Sequence, residues 1–170
     1  CIRARVSVGA GCKGQLTVLG AGSDPNFGGR NFDRALMEHF AEEFKGKYKI
    51  DVFSNPKSTF RLAAGCERLK MVLSANTFAQ LNVESLMNDI DAASQLKREE
   101  FESMIAPYLD RIHVPLDRAL EQSGLSKDEI FSVELVGGSS RVPAIKERIT
   151  QWFGRSLSFT LNQDEAIVRG

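Results

Sequence analysis

The fold is decided by the stretch Leu135-Val136-Gly137-Gly138-Ser139-Ser140-Arg141-Val142-Pro143. Alternation over 132–136 predicts a strand that leads directly into the two glycines, and the proline predicts the start of a helix. Glycine lets the backbone approach a ligand closely, and the first amides of a helix are unpaired and lie at the positive end of its dipole. The turn therefore suits a phosphate group. The same spacing also fits a strand-to-helix turn that binds nothing, and spacing alone leaves both alternatives open.

The side chains of this turn and a second diglycine extend the candidate site. Ser139 and Ser140 could donate hydroxyl hydrogen bonds, and Arg141 could pair with a phosphate or stack on a base. Gly28-Gly29 also precedes a predicted helix, although a diglycine alone is more often only a turn. Two such turns in one chain fit a ligand that lies between two halves.

A long helix carries the third candidate. Asn55-Pro56 predicts its start, with Asn as the N-cap, and its periodicity continues to about Ser74. Glu67, Lys70 and Ser74 stand at i, i+3 and i+7 and therefore share one helix face. A carboxylate beside an ammonium can bind two hydroxyls of a sugar. On spacing alone, however, we favour an exposed ion pair between the two charged side chains.

Helical periodicity predicts helices at about 30–45, 56–74 and 97–121, and another that begins at Pro143. In the third, Pro107 and Pro115 each lack an amide N–H and are expected to break or kink the helix. Gly124 and Gly154 are expected to end helices. A capping box is predicted at 126–129, and another cap, at the start of a helix, at 162–165. The apolar faces of the first two helices are expected to consist of Phe32, Leu36, Phe40 and Phe44, and of Phe60, Ala63, Cys66, Leu69 and Leu73.

Period-two alternation predicts two hairpins. The first joins residues 4–10 to 15–21, and the second lies within 78–95 with its turn near 85–88. A last short strand is expected at 157–160. Strands and helices therefore follow one another in an order typical of α/β proteins.

Composition excludes several classes of function. Among 170 residues, 22 are basic and 22 acidic, so no net positive field favours nucleic acid or a membrane surface. The three cysteines have no C-x-x-C spacing, which argues against a disulfide framework or a zinc site and favours a reducing compartment. Neither His39 nor His113 has a nucleophile at a suggestive spacing. The carboxylates Asp89 and Asp91 are interpreted as a solvated strand edge, so no catalytic residue and no metal ligand is assigned.

Four segments, in order along the chain, resemble the 70-kDa heat-shock chaperone superfamily. They are Asn26-Phe27-Gly28-Gly29-Arg30-Asn31-Phe32-Asp33 ("xxGGxxFD"), Cys66-Glu67-Arg68-Leu69-Lys70-Met71-Val72-Leu73-Ser74 (an adenosine-facing helix), residues 135–143 ("LVGGxxRxP") and Asn162-Gln163-Asp164-Glu165-Ala166 ("NxDEA"). Finer details resemble the 110-kDa branch of that superfamily. They are the "MNDxD" stretch at 87–91, Gln163 in place of proline, and Arg5-Val6-Ser7 in place of "DVS".

The resemblance implies an actin-like ATPase fold, which is ribonuclease H-like, with a mixed sheet, helices and a smaller α+β subdomain. The chain would be lobe II of the ATP-binding domain, with a base subdomain at 1–50 and 125–170 and an upper subdomain at 51–124. It would bind ATP or ADP, with Mg²⁺ in the full-length protein. The implied nucleotide-binding residues are Gly28, Gly29, Glu67, Lys70, Met71, Ser74, Gly137, Gly138, Ser139, Arg141 and Asp164.

The resemblance also implies a role for each part of this set. Gly29 matches a glycine beside the phosphates, Glu67 and Lys70 the ribose pair, and Ser74 an adenine contact. Gly138, Ser139 and Arg141 match the phosphate and adenine wall, and Asp164 matches the back of the adenine pocket. One position departs from the family pattern: Met71 replaces an arginine that covers the base. The adenine is therefore expected to be held more loosely, or by thioether contact alone.

The function implied is that of a cytosolic nucleotide exchange factor for 70-kDa chaperones that assists protein folding. The expected partners are a 70-kDa chaperone and lobe I of the same protein. The first phosphate loop, the catalytic lysine and the metal-binding acids of lobe I are missing from this sequence, which also lacks an initiator Met. We therefore expect a part of a longer protein, with no ATPase activity of its own and weak nucleotide binding at best. The alternatives are lobe II of an ordinary 70-kDa chaperone, or of another actin-like or sugar-kinase ATPase.

Overall fold

The structure is a computed structural model that describes residues 2–10 and 15–158. The architecture is mixed α/β, with two separate two-stranded antiparallel sheets, β1–β2 and β3–β4, in this part of the chain. The α/β class predicted from the sequence is confirmed at this level. The elements are β1 (Ile2–Ala10), β2 (Gln15–Asp24), α1 (Gly29–Tyr48), α2 (Pro56–Ala75), β3 (Phe78–Met87), β4 (Ile90–Lys97), α3 (Arg98–Leu109), α4 (His113–Ser123) and α5 (Pro143–Phe153).

The chain forms two compact units. The first unit joins residues up to Gly29 to those from Pro107 onward, and the second unit is Arg30–Ala106. Helix α1 therefore belongs, apart from its first residue, to the same unit as α2 and the β3–β4 hairpin. The subdomain boundaries expected near 50 and 125 concern the division of an actin-like lobe and remain a prediction.

Helices α1 and α2 contribute much of the core of the second unit. The predicted stripe of α1 is confirmed, since its four apolar side chains are completely buried. Asn55 caps α2 as predicted: its side-chain oxygen accepts the Lys57 amide at 2.9 Å, which satisfies one of the unpaired amides of the first turn. Both features have a local sequence pattern, an Asn-Pro pair and a four-residue apolar spacing, so the sequence predicts them even though the burial of the stripe depends on tertiary packing.

The prediction that Phe60 belongs to the buried apolar face of α2 is wrong. Phe60 is 75% exposed, whereas Leu62 is completely buried and lies in line with Cys66, Leu69 and Leu73. With about 100° per residue, Phe60 points roughly 200° away from Leu62. The buried stripe therefore passes through position 62, and Phe60 lies on the solvent side.

The β3–β4 hairpin turns slightly later than predicted. Met87 pairs with Ile90, so the two-residue turn is Asn88-Asp89, and both residues have positive φ, as a type I′ turn requires. A bulge shifts the register between Val83 and Met87. Within this bulge the buried Ser58 of α2 donates its hydroxyl to the Leu86 carbonyl at 2.6 Å, which fastens helix to hairpin.

In the first unit, the predicted β1–β2 hairpin is confirmed as an antiparallel pair. The turn expected at 11–14 lies outside the described residues. Helix α4 packs against β2 so closely that a Cβ atom added to Gly22 would overlap the carbonyl oxygen of Pro115, and one added to Gly20 would overlap that of Ala119. Glycine at both positions is therefore what allows the strand and the helix backbone to touch.

The two prolines do not break the helix where the sequence predicted. Helix α3 includes Pro107, α4 includes Pro115, and the break lies between them at 110–112. Pro115 is the third residue of α4, where its missing amide has no partner to lose, and Pro107 is two residues from the end of α3. Gly124 ends α4 in the left-handed conformation, as predicted.

The strand predicted at 132–136 is reduced to one contact in the described part of the chain. Glu134 forms a single parallel bridge with Ser158, and the Ser158 amide donates to the Val133 carbonyl at 2.9 Å. Most of the partner expected at 157–160, and the cap expected at 162–165, lie outside the described residues.

Helix α5 is the last helix in the described part of the first unit. It begins at Pro143 and ends at Gly154, both as predicted. The Trp152 indole donates to the Asp117 carboxylate of α4 at 2.8 Å, and the Arg155 guanidinium donates to the Lys127 and Ile130 carbonyls. None of the helices in residues 2–10 and 15–158 is both long and apolar enough to cross a membrane.

Candidate functional site

One side of α2 carries the first group of predicted site residues. Glu67 is exposed, while Lys70 and Ser74 are half-buried one and two turns further along. Met71 lies beside them with 57% of its surface exposed. A carboxylate, an ammonium, a thioether and a hydroxyl therefore stand within about two helical turns, as the spacing predicted.

The ion pair favoured on spacing, between Glu67 and Lys70, is not formed. Lys70 Nζ instead lies 2.7 Å from Oδ1 of Asp33 on α1. Within the described residues the Glu67 carboxylate has neither an ion pair nor a hydrogen bond, so its oxygens are open to solvent. The two charged groups of α2 thus remain separate donor and acceptor sites.

Ser74 and Cys66 complete the surroundings of this face. The Ser74 hydroxyl donates to the Lys70 carbonyl at 3.0 Å, which leaves its oxygen lone pairs as acceptors. Cys66 lies one turn before Lys70 and is completely buried. The pKa of the Cys66 thiol is raised to about 12, chiefly by burial and also by the Asp33 carboxylate, while the Lys70 ammonium opposes both. The thiol is therefore a packed apolar group and not a nucleophile.

The glycine turn at 137–141 forms a short 3₁₀ helix that runs up to α5. Gly137 has φ 102°, a backbone conformation that residues other than glycine rarely adopt. The Ser140 amide donates to the Gly137 carbonyl at 3.0 Å, and the Ser140 hydroxyl donates to the same oxygen at 2.6 Å. The amides of Gly138 and Ser139 precede that bond, so the turn itself gives them no acceptor.

Two predictions about this turn therefore have different outcomes. The backbone has the expected helical start, with Gly138 and Arg141 exposed and Ser139 half-buried. Ser140, however, is buried, and the hydroxyl hydrogen bond that it could donate goes to the Gly137 carbonyl within the turn.

The second diglycine also stands at a helix start. Helix α1 begins at Gly29, and Gly28 immediately precedes it. Upstream, the buried Asp24 accepts the Asn26 amide at 2.9 Å and pairs with Arg111 at 2.8 Å, which holds the loop that leads to the helix. The first amides of α1 have no intrahelical acceptor and can face an anion.

Asp164, predicted at the back of an adenine pocket, lies outside the described residues. Among residues 2–10 and 15–158, no group of three His, Cys, Asp or Glu side chains is placed to hold a metal ion. Within the second unit, the α2 face offers donors and acceptors suited to hydroxyl groups. Each of the two helical starts, taken by itself, offers backbone amides suited to a phosphate group.

Comparison with known proteins identifies the family. Residues 4–170 match the family model described as "Hsp70 protein". The chain belongs to the Hsp70 family. The resemblance predicted from four short segments is therefore confirmed over nearly the whole chain.

Similar proteins are identical to this chain at about half of the aligned positions. "Heat shock protein hsp88" of Neurospora crassa is 57% identical over 158 residues, which is 93% of this chain and 22% of that protein. A heat shock protein homolog of Saccharomyces cerevisiae is 54% identical over 158 residues, 93% of this chain and 23% of that protein. The "97 kDa heat shock protein" of Strongylocentrotus purpuratus is 49% identical over 167 residues, 98% of this chain and 19% of that protein.

These relatives confirm the predicted 110-kDa branch over the ordinary 70-kDa members of the Hsp70 family. The chain spans only about a fifth of the length of the relatives it matches. About four-fifths of each relative's length therefore lies outside the stretch that matches this chain.

Sequence reasoning missed one contributor to the α2 face. Asp33 is the last residue of the "xxGGxxFD" segment, and neither its spacing nor the family resemblance assigned it a role. It binds Lys70 across 37 positions of sequence. The motif itself was the available signal, because a polar residue that closes a glycine-rich motif next to a buried aromatic needs a partner.

Proposed function

We propose that this chain is lobe II of an actin-like ATPase domain in a 110-kDa-type Hsp70-family chaperone, where it helps to bind ATP or ADP. The observation that carries the proposal is the α2 face, which presents Glu67, Lys70 and Ser74 within two turns. Family membership supports an adenine nucleotide as the ligand that these groups bind.

The α2 face supplies chemistry suited to an adenosine. An ammonium has three N–H donors, so Lys70 retains two after pairing with Asp33 and can donate to a sugar hydroxyl. The exposed Glu67 carboxylate can accept from a second hydroxyl, and the Ser74 oxygen can accept from the base. The Met71 thioether can lie against the base in place of the family's arginine, with dispersion but without a cation–π contribution.

The helical starts suit the phosphates. The amides of Gly138 and Ser139 and the first amides of α1 after Gly28 and Gly29 are donors without acceptors in their own helices. The exposed Arg141 guanidinium can stack on a base or pair with a phosphate. When bound with the nucleotide in the full-length protein, Mg²⁺ would neutralise phosphate charge.

For the whole protein we propose a cytoplasmic nucleotide exchange factor that acts on a 70-kDa chaperone and assists protein folding. The names of the relatives, all heat-shock proteins, support a chaperone role. We propose no ATP turnover by this chain alone, because phosphoryl transfer needs positioned charge on every side of the γ-phosphate.

A direct test measures ADP affinity of the full-length protein by calorimetric titration. Glu67→Gln removes the charge of the sugar acceptor and is expected to weaken binding roughly tenfold, as for a hydrogen bond to a charged group. Glu42→Gln, an equally exposed glutamate on α1, is the matched control and should leave affinity unchanged. Equal affinities of the wild type and Glu67→Gln would contradict the proposed site.

A second test addresses exchange. The full-length protein should accelerate release of a fluorescent ADP from a 70-kDa chaperone, while this chain alone should neither hydrolyse ATP nor bind it tightly. Turnover or tight binding by the isolated chain would refute the assignment of a half-site. A full-length protein that leaves the release rate unchanged would refute the exchange function.

A further inference from the structure

The Asp33–Lys70 pair joins helices α1 and α2 of the second unit at the proposed site. Lys70 Nζ and Asp33 Oδ1 are 2.7 Å apart, and the two side chains expose only 13% and 22% of their surface. Most surface ion pairs are mobile and contribute little. This one lies between two helices and is largely shielded from solvent, so both side chains have few alternative positions.

Asp33 is itself held by the core. Its neighbour Phe32 is completely buried and packs edge-on against Phe101, with ring centroids 6.3 Å apart. The first turns of α1 are therefore anchored immediately beside the carboxylate. A carboxylate on an anchored helix is suited to orient a long, flexible lysine side chain.

Without Asp33, the lysine would have a different partner. Glu67 is three residues before Lys70 on the same helix, a spacing at which opposite charges pair. Such a pair would turn the ammonium toward Glu67 and occupy the carboxylate oxygens that the proposed site needs. In the structure the ammonium is instead paired with Asp33 on α1.

We propose that Asp33 is a positioning residue for nucleotide recognition, which orients Lys70 toward a sugar hydroxyl and keeps it from pairing with Glu67. This inference rests on the proposed function, because it assigns Asp33 a role in the same site. Asp33 does not touch the nucleotide in this scheme; it acts through the lysine.

The experiment compares the affinity of the full-length protein for ADP and for 2′,3′-dideoxy-ADP, which lacks both sugar hydroxyls. The dissociation constant for 2′,3′-dideoxy-ADP divided by that for ADP measures sugar recognition. This ratio is insensitive to a general loss of stability. Lys70→Ala is expected to reduce this ratio roughly tenfold. Asp33→Asn should reduce it by a similar factor, and the double variant should match Lys70→Ala alone because both act through one contact.

Two further variants make the result decisive. Asp33→Glu retains the charge and should recover part of the ratio, whereas Glu38→Gln, which removes the exposed Arg34–Glu38 pair on the same helix, should leave it unchanged. If Lys70→Ala loses the sugar preference and Asp33→Asn keeps it, the positioning role is refuted while the proposed function stands. If the wild type shows no sugar preference or does not bind ADP, the proposed function fails, and the positioning role with it.

Discussion

Gly22→Ala should destabilise the β2–α4 contact strongly. The added Cβ would overlap the Pro115 carbonyl oxygen and lie 2.9 Å from its carbonyl carbon and 3.1 Å from the Ala119 amide nitrogen. These are main-chain atoms of a helix, so a side-chain rotation cannot relieve the overlap. Overpacking costs about 1–3 kcal/mol, and a backbone clash belongs at the upper end of that range. Removing a flexible glycine from a strand returns about 0.5–1 kcal/mol, which leaves a net loss of about 2 kcal/mol.

The assay is amide hydrogen exchange of the full-length protein, followed by mass spectrometry of peptides from α4. Local opening free energies are measured this way even when a multidomain protein does not unfold in a single step. A loss of about 2 kcal/mol corresponds to exchange roughly 30-fold faster. Ala21→Ser is the matched control, because residue 21 is on the opposite face of the same strand from Gly22.

Exchange of α4 that is unchanged in Gly22→Ala would refute the argument, since it would mean that the strand and helix backbones are not in contact at this position. Equal acceleration in Ala21→Ser would refute it in a different way, because the effect would then belong to the strand and not to the face that meets the helix.

Four further outcomes are expected. Cys66 should resist alkylation at mildly alkaline pH in the folded protein and react once urea unfolds it, because burial raises its pKa to about 12; rapid labelling of the native protein would contradict this. Met71→Arg should tighten binding of ADP, measured by calorimetry, because a guanidinium stacks on the base where a thioether only touches it; unchanged affinity would remove Met71 from the site. Asn55→Ala should weaken the first turn of α2 by about 1 kcal/mol, seen as faster exchange there, because it deletes the N-cap oxygen. Hydrogen bonds from the amide and hydroxyl of Ser126 lower the pKa of Glu129, so its stabilising contribution is present above its ordinary pKa and is lost as pH falls through the lowered value; an NMR titration of the Glu129 carboxyl that gives an ordinary pKa would contradict this.

Features that depend on neighbouring residues were predictable from the sequence. The caps at Asn55, Gly124 and Gly154 follow from contacts within about a turn of the chain. The stripe of α1 follows from its four-residue spacing, although distant side chains such as Phe101 bury it. Phe60 shows the limit of this reasoning, because a helix with apolar residues on two sides has more than one possible stripe. The sheet that packs on the helix selects between them.

Features that depend on distant partners were not predictable. Of the strand expected at 132–136, the described residues show one parallel bridge, from Glu134 to Ser158, and most of the partner expected at 157–160 lies outside them. The partner of Lys70 was predicted at three residues and found at 37. A spacing rule can propose only partners on the same helix, so it cannot weigh the local pair against one from another element.

The motif residues therefore divide into two roles that sequence patterns do not separate. Ser140 and Asp33 are polar members of family motifs, yet each directs its polar group at another motif residue, Gly137 or Lys70. The Glu67 carboxylate and the Met71 thioether side chain are exposed to solvent instead. Substituting the first kind should change how the site is shaped, and substituting the second kind should change only what it binds. The contrast between Asp33→Asn and Glu67→Gln tests this division, because only the first leaves a lysine without the partner that orients it.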